Sequence, residues 1–425
     1  QGPMLGAVTH ESALIWTRAS GLFPVTVRFN TAAESAQVRE VTVRPTLDND
    51  LIAQVQLDGL AADTTYFYTV LINGDSGKYG RSGPYTFKTA PAPGTPASFK
   101  VAFGSCARVA STPRQPIWDV VSAHAPELFF WVGDNIYGDS LVPDILAEEY
   151  RNQRMVPALA PVLTSAAHLA TWDDHDYGLN NHDRTNPIKE AALRVFEQYW
   201  ANPAYGLPDT PGVFFAYQYG AVDFFFVDGR YYRDPNNAPD GPDKSMLGAG
   251  QLAWLKARLA ASEAVFKVLV SGSGWTRAKG EGGDSWAAFV HERDQLFNYI
   301  RDNEVTGVVL LSGDTHCGEL NAIPWSERGG YDLYDLVSSP LAQAGSNNWR
   351  GRTPEARLRA GISAPNVGVV AFDFDGDEPT LTFNNYLPDG TSPWQPLVLR
   401  ASDLLNGVKT HDANDLYDES VPHSP

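Results

Sequence analysis

Cysteine, positive charge and long apolar runs are all scarce in this sequence, and each shortage removes a class of protein. Two cysteines, Cys106 and Cys317, stand among 425 residues. A single pair cannot build the disulfide framework on which small secreted scaffolds rely. No apolar run approaches the roughly 18 residues that a membrane-spanning helix needs, so no transmembrane segment is expected. No signal-peptide pattern opens the chain at Gln1, and a processed or trimmed start is the expected reason. Lysine and arginine total 32 against 50 aspartates and glutamates, which leaves a net charge of -18. So acidic a surface repels phosphate backbones, which argues against nucleic acid as a stable partner. An anionic substrate would need locally concentrated positive charge, and a bound metal supplies it. The Gly-x-Ser-x-Gly elbow of serine hydrolases is missing, as are a P-loop and a dinucleotide fingerprint. Internal repeats and long low-complexity segments are absent too.

What is present suffices for two packed domains: 43% of residues are apolar and the length exceeds that of a usual single core. Short β-branched and aromatic runs fill the first ninety residues, each bounded by Gly, Asn, Asp or Pro. They are 13–17, 25–29, 38–43, 55–57, 65–72 and 85–89. This pattern predicts an all-β amino-terminal sandwich, fibronectin III-like, over residues 1–90. Residues 90–96, Ala-Pro-Ala-Pro-Gly-Thr-Pro, read as a stiff linker. Strand-like and helix-like runs then alternate, which predicts an α/β domain over 97–405. Helices are expected over 142–154, 189–200, 251–262 and 292–303. An antiparallel pair is expected over 214–227, and two late strands over 365–383. Residues 406–425 read as an acidic tail.

Four short polar segments carry the chemistry. They are Gly104-Ser105-Cys106, Gly133-Asp134-Asn135-Ile136-Tyr137, Thr171-Trp172-Asp173-Asp174-His175-Asp176 and Ser312-Gly313-Asp314-Thr315-His316. Three of them follow runs that read as buried strands, and ligands of open α/β sheets gather at strand carboxyl ends. A carboxylate and a phenol three residues apart, Asp134 and Tyr137, suit a hard, highly charged ion such as ferric iron. Without an ion, Asp134 would cap a turn and Tyr137 would pack in the core. Asp173, Asp174 and Asp176 around His175 are costly if desolvated, and a cation removes that cost. Their alternative is an exposed, capped loop. His175 has the pKa range for a general acid or an oxyanion donor. Asp314 and His316, two apart in extended chain, share a face. Cys106 is either a ligand or a small buried hydrophobe, and Cys317 reads as the latter. Two cations sharing one carboxylate would clamp a phosphoryl group, with Asp134 the bridging candidate.

The motifs resemble those of the alkaline phosphatase D (PhoD-like) enzymes along nearly the whole chain. The resemblance begins at Ala-Leu-Ile-Trp-Thr-Arg, 13–18. It runs through Phe-Gly-Ser-Cys, Gln115-Pro116-Ile117-Trp118, Gly-Asp-Asn-Ile-Tyr-Gly-Asp and Thr-Trp-Asp-Asp-His-Asp-Tyr-Gly. It takes in Val227 to Arg233, Met246-Leu247-Gly248 with Gln251 and Trp254-Leu255, and Gly-Asp-Thr-His.

This resemblance implies a calcineurin-like metallophosphatase core, two packed sheets flanked by helices, that hydrolyses phosphate mono- or diesters with a metal-bound hydroxide. It implies a ferric ion with one or two calcium ions, another divalent metal being admissible at the second site. Cys106, Asp134, Tyr137, Asp174, Asp314 and His316 would be ligands, with Asp134 bridging and Tyr137 the phenolate on iron. His175 and Asp134 would be catalytic, and His175 would face the phosphate. Asn135 and Arg230 would contact the substrate, unless Arg230 pairs with Asp228. After the run 265–270 the chain reads Ser271-Gly272-Ser273-Gly274-Trp275, where relatives usually carry a polar group that reaches the site. Trp275, with Trp286, is therefore expected to line an open, aromatic pocket. A small phosphate-ester substrate and a secreted or periplasmic location follow from the resemblance. Two other readings stand beside it: a phospholipase D-like enzyme, and a non-catalytic, metal-stabilised adhesion or carbohydrate-binding protein suggested by the sandwich and the 11 tryptophans.

Overall fold

The computed structural model describes all residues except 33–36, 76–82, 348–356 and 411–425, so the acidic run 412–419 lies outside the described residues. Seven strands open the chain: β1 (Met4–Val8), β2 (Ser12–Arg18), β3 (Val25–Thr31), β4 (Arg39–Val43), β5 (Ile52–Asp58), β6 (Thr65–Ile72) and β7 (Tyr85–Lys88). They form two antiparallel sheets, ordered β1-β2-β5 and β4-β3-β6-β7. Alternation drives them: in β3, Val25, Val27 and Phe29 are buried while Arg28 points outward. Every strand expected in this region is present, and β1 is added. Its residues, Met-Leu-Gly-Ala-Val, are all buried, so they show no alternation that would mark a strand.

The rest of the chain builds two larger sheets. In order come β8 (Phe99–Gly104), α1 (Ile117–His124), β9 (Leu128–Val132), α2 (Pro143–Gln153), α3 (Ala160–Ser165), β10 (Ala167–Thr171), α4 (Asp174–Tyr177) and α5 (Lys189–Tyr199). Then follow β11 (Phe215–Tyr219), β12 (Val222–Phe226), α6 (Gly248–Ala261), β13 (Phe266–Val270), α7 (Val290–Asp302), β14 (Val308–Ser312), β15 (Gly318–Ile323) and β16 (Leu333–Val337). The last strands are β17 (Arg357–Ile362), β18 (Val367–Asp373), β19 (Thr380–Tyr386) and β20 (Leu397–Arg400). One sheet is ordered β10-β9-β8-β18-β19-β20, the other β11-β12-β13-β14-β16-β15-β17. β8, β9 and β10 run parallel in the first. β12, β13, β14 and β16 run parallel in the second. The four expected long helices are α2, α5, α6 and α7, and the expected antiparallel pair is β11 and β12.

The strand β9 explains how the layers hold. Its five residues, Leu-Phe-Phe-Trp-Val, are all buried because both faces are covered. Leu128, Phe130 and Val132 face the partner sheet, where Phe130 meets Phe224 and Phe226 edge-on at 4.9 Å each. Phe129 and Trp131 face the helices, where Trp118 lies 5.2 and 5.1 Å away. Each such ring contributes roughly 1.5–3 kcal/mol by leaving water. The amino-terminal sandwich joins this second core through Trp16, which lies 6.1 Å from Tyr199 and donates to the Gln198 carbonyl at 2.8 Å. Trp16, Trp118, Trp131, Trp172, Trp200, Trp275 and Trp286 are all fully buried. These seven of the 11 tryptophans are therefore core, which weakens the feature that suggested a carbohydrate-binding face.

Phe224→Ala should cost about 3–5 kcal/mol in chemical denaturation, because Phe99, Phe130 and Phe372 all pack edge-on against this ring. A loss under about 1 kcal/mol would mean that the sheets close over the gap.

Candidate metal centre

All four polar segments sit where a parallel strand stops. β8 delivers Ser105 and Cys106, β9 delivers Gly133 to Tyr137, β10 delivers Asp173 to Asp176 on α4, and β14 delivers Gly313 to His316. Four of these residues hold left-handed backbone: Cys106 at φ 60°, Asp134 at φ 49°, Asp314 at φ 65° and His316 at φ 52°. For a side chain larger than glycine this costs roughly 1–2 kcal/mol each, and such strain gathers at functional sites. Cross-loop bonds sustain it. The amide of Ala107 donates to the Asp134 carbonyl at 3.0 Å, and that of Ala342 to the Cys106 carbonyl at 3.1 Å. Gly313 is required by close approach: a Cβ there would stand 2.5 Å from the Ser105 Cβ and the Val132 carbonyl.

The segments converge on two triads. Cys106, Asp134 and His316 form one, and Asp134, Asp174 and His175 form the other, with the donor atoms of each within 4.8 Å of one another. Asp134 belongs to both. The Tyr137 hydroxyl lies 3.0 Å from His316 Nε2, which adds the phenol to the first triad. Asp314 joins neither triad; its carboxylate is ion-paired with Lys279. Asp134 Oδ1 and Asp174 Oδ1 are buried without a hydrogen-bond partner. Asp174 Oδ1 has only the Arg230 guanidinium, 3.6 Å away, whereas Asp134 Oδ1 has no partner; a buried orphaned carboxylate oxygen is costly unless a cation meets it, so the donor set fits metal binding.

The electrostatics carry the same demand. Burial, then the neighbouring Cys106 and Asp174, hold the Asp134 carboxyl well above its ordinary pKa. Burial pushes the Cys106 thiol to about 11, reinforced by the Asp314 charge. It also raises the Tyr137 phenol, with Cys106 and Asp134 adding to the effect. For His175, burial works downward, but the bond from Nδ1 to Asp139 at 2.5 Å and the charges of Asp134 and Asp174 push it up to about 10. Protons therefore stand where cations would. A metal ion inverts this order and draws thiol and phenol into their anionic forms.

A surrounding polar frame fixes the ligands. Asp176 is buried, and its Oδ2 accepts from the amides of Asn135 and Asp173 at 3.1 Å each, clipping the β9 and β10 loops together. Its Oδ1 accepts from the Tyr150 hydroxyl at 2.9 Å. The acidic cluster is thus the buried first turn of α4, not an exposed loop. Asn135 is buried and donates from Nδ2 to the Thr171 carbonyl at 2.8 Å, while its Oδ1 is unpartnered. Arg230 has no exposed surface. Its guanidinium is bound to Asp173 and Asp284 and lies 3.6 Å from Asp174, whereas Asp228 takes only its backbone amide. It has no donor turned toward a substrate; it neutralises the carboxylates beneath the centre. Trp275 and Trp286 are not cleft residues either: both are fully buried and stack at 4.6 Å and 9°. Small residues at 271–274 let the first of these rings fold inward under the strands.

Several framing residues were given no role from the sequence, although Asp139 closes the motif Gly-Asp-Asn-Ile-Tyr-Gly-Asp. Asp139, Asp284, Lys279 and Gln343 lie outside the four segments. Gln343 donates to the Tyr137 hydroxyl at 2.9 Å. The run Lys279-Gly280-Glu281-Gly282-Gly283-Asp284 was the available signal, a glycine-rich loop with charge at each end.

Comparison with known proteins converges with this geometry. The model of the PhoD-like phosphatase domain matches residues 101–377, and that of the PhoD-like phosphatase N-terminal domain matches 1–91. The chain belongs to the PhoD-like phosphatase family. Alkaline phosphatase D of Bacillus subtilis (strain 168) is 26% identical over 381 residues, spanning 74% of this chain and 64% of that relative. The chain thus covers less than two thirds of that protein's length. The solved structure of PhoD superposes with a TM-score of 0.73 at 18% identity, covering 97% of this chain and 94% of that one. Purple acid phosphatase PPD1 from yellow lupin (Lupinus luteus) seeds gives 0.68 at 13% identity, covering 100% and 76%. At these identities the structures share the fold, a calcineurin-like metallophosphatase core behind a β-rich module. Among the described residues no helix is long and apolar enough to cross a membrane.

Adding a cation that fills the triads should raise the melting temperature, with about 2.7 kcal/mol of stabilisation at a hundredfold excess over Kd. Asp134→Asn should remove that gain while leaving the metal-free protein as stable or more so, because an uncompensated buried carboxylate disappears. Equal cation response in both proteins would exclude Asp134 as a ligand.

Proposed function

We propose that this chain is a metal-dependent phosphoesterase that hydrolyses small phosphate esters at the paired triads. The observation that carries this reading is the shared carboxylate, Asp134, between a triad with thiol and imidazole and a triad with carboxylate and imidazole. Such a pair of sites, a few ångströms apart, supplies Lewis-acid charge to two oxygens of one phosphoryl group and lowers the pKa of water between them. Family membership and the phosphatase relatives point to the same reaction class.

The side chains divide the work. Cys106, Tyr137 and His316 offer thiolate, phenolate and imidazole, which suit ferric iron. Asp174, with Asp314 once freed from Lys279, offers carboxylate oxygens, which suit one or two calcium ions or another divalent metal. Asp134 serves both sides. Arg230 stays beneath the centre, paired with Asp173 and 3.6 Å from Asp174, which it helps hold below the ordinary carboxylate pKa. In the metal-free protein the Asp139 bond and the charges of Asp134 and Asp174 raise the His175 pKa against the effect of burial. His175 can hold a ring proton toward the leaving oxygen or against the developing negative charge. Asp139 fixes the ring through Nδ1, so that Nε2 is the nitrogen at the second triad; on this reading it meets the substrate there rather than the ion, which Asp134 and Asp174 hold. A secreted or periplasmic location suits a calcium-dependent centre, since millimolar calcium is an extracellular condition.

Asp134→Asn should lower phosphate-ester turnover by more than about a hundredfold, since even outer partners of metal ligands cost ten- to a hundredfold. Folded wild-type protein carrying iron yet inert toward monoesters and diesters would sink the reading. The iron assignment has its own test: Tyr137→Phe should bleach or shift the visible charge-transfer band of the purified protein, and an unchanged spectrum would remove Tyr137 from the ligands.

A further inference from the structure

The basic side chains around the centre are not equivalent. Arg230 and Arg233 are fully buried and share Asp284. Lys279 is paired with Asp314. Arg108, two residues after Cys106, is exposed and makes no ion pair among the described residues. Its guanidinium lies 5.1 Å from the ring centre of Tyr137. Glu149 on α2 feels the Arg108 charge but forms no ion pair with it, and accepts instead from the Asn152 side-chain amide at 3.3 Å.

The backbone that carries Arg108 is held from both sides. Its amide donates to the Ala342 carbonyl at 2.9 Å. Its carbonyl accepts from the Thr112 amide at 3.0 Å and the Ser111 hydroxyl at 3.2 Å. One residue earlier, Ala107 bridges Ala342 in parallel pairing. An arginine on so fixed a stem, with its guanidinium 5.1 Å from the Tyr137 ring centre, lies beside the first triad. In a chain of net charge -18, a cation without an ion pair at that position is available to an anion from solution. Stacking on the ring and forking toward an oxyanion are compatible uses of one guanidinium.

We propose that Arg108 is a substrate-binding residue that takes the phosphate oxygen left free by the paired triads, and that it thereby favours phosphomonoesters over diesters. This rests on the phosphoesterase reading above. Two oxygens of the phosphoryl group face the triads. A monoester has a third non-bridging oxygen, and a diester has an alkoxy arm in its place. A guanidinium at the third corner gains a charged hydrogen bond with the first and meets an uncharged arm with the second.

The test compares wild type, Arg108→Gln and Arg108→Lys on p-nitrophenyl phosphate and bis(p-nitrophenyl) phosphate, with inorganic phosphate as competitor. In Arg108→Gln, KM for the monoester and the inhibition constant for phosphate should both rise by about tenfold or more, kcat should change less than about threefold, and KM for the diester should stay within about twofold. Arg108→Lys should recover a large part of the monoester loss. Melting temperatures should match, because the side chain is exposed. Unchanged monoester KM, or equal losses on both esters, would overturn the inference while the phosphoesterase reading stands. Wild-type protein inert on both esters would overturn that reading and this inference with it.

Discussion

The fold depends on how it tolerates negative charge out of water. Asp134, Asp173, Asp174 and Asp176 are buried within one small region at the ends of β9 and β10, with Asp314 alongside. Desolvating carboxylates is unfavourable, and crowding them compounds it. The chain meets this with one buried guanidinium, one clip and one deficit. Arg230 neutralises Asp173 and Asp174 from below and is itself held by Asp284. Asp176 is satisfied by two amides and a phenol. The deficit is at Asp134, whose buried Oδ1 has no hydrogen-bond partner and whose carboxyl is held well above its ordinary pKa by burial and by Cys106 and Asp174. Metal affinity is the deficit expressed as binding. It follows that stability and function oppose each other here, since the residues that attract cations are those that weaken the bare protein.

The strain in the backbone belongs to the same logic. Left-handed conformations at Cys106, Asp134, Asp314 and His316 turn each chain sharply as its strand ends, so that side chains from two different sheets meet. The parallel strands supply the common edge, and the aromatic layer between Phe130 and Phe224 keeps the two edges level. A ligand set drawn from four strands of two sheets stays registered only if those sheets cannot slide.

Much of this was legible in the chain itself. The strand-end segments announce themselves because buried β-branched runs stop abruptly at Gly followed by polar residues, and the triads use residues from all four. The long helices were legible from apolar spacing. Other parts were not, for reasons that lie in tertiary context. β1 is buried on both faces and so lacks alternation. Arg230 and Trp275 read as substrate groups because an arginine and a tryptophan beside a motif are ordinary ligands for an ester. In the fold both turn inward, one to neutralise Asp173, the other to stack on Trp286. Lys279 and Gln343 come from loops whose spacing carries no period, and only the folded topology brings them to the centre, whereas Asp139 stood in the motif Gly-Asp-Asn-Ile-Tyr-Gly-Asp without its bond to His175 being foreseen.

Trp16 has a bearing on how such a chain can be inherited. A module joined by a proline-rich linker looks like a bead that could be lost or exchanged. Yet Trp16 packs with Trp131 and Trp200 in one cluster, and the Arg154 guanidinium is wedged against all three rings. Trp131 belongs to the strand that carries Asp134. The sandwich is thus one wall of the core behind the candidate metal centre, and a chain without it would expose Trp131 and Trp200 on the strand and helix end that this wall covers.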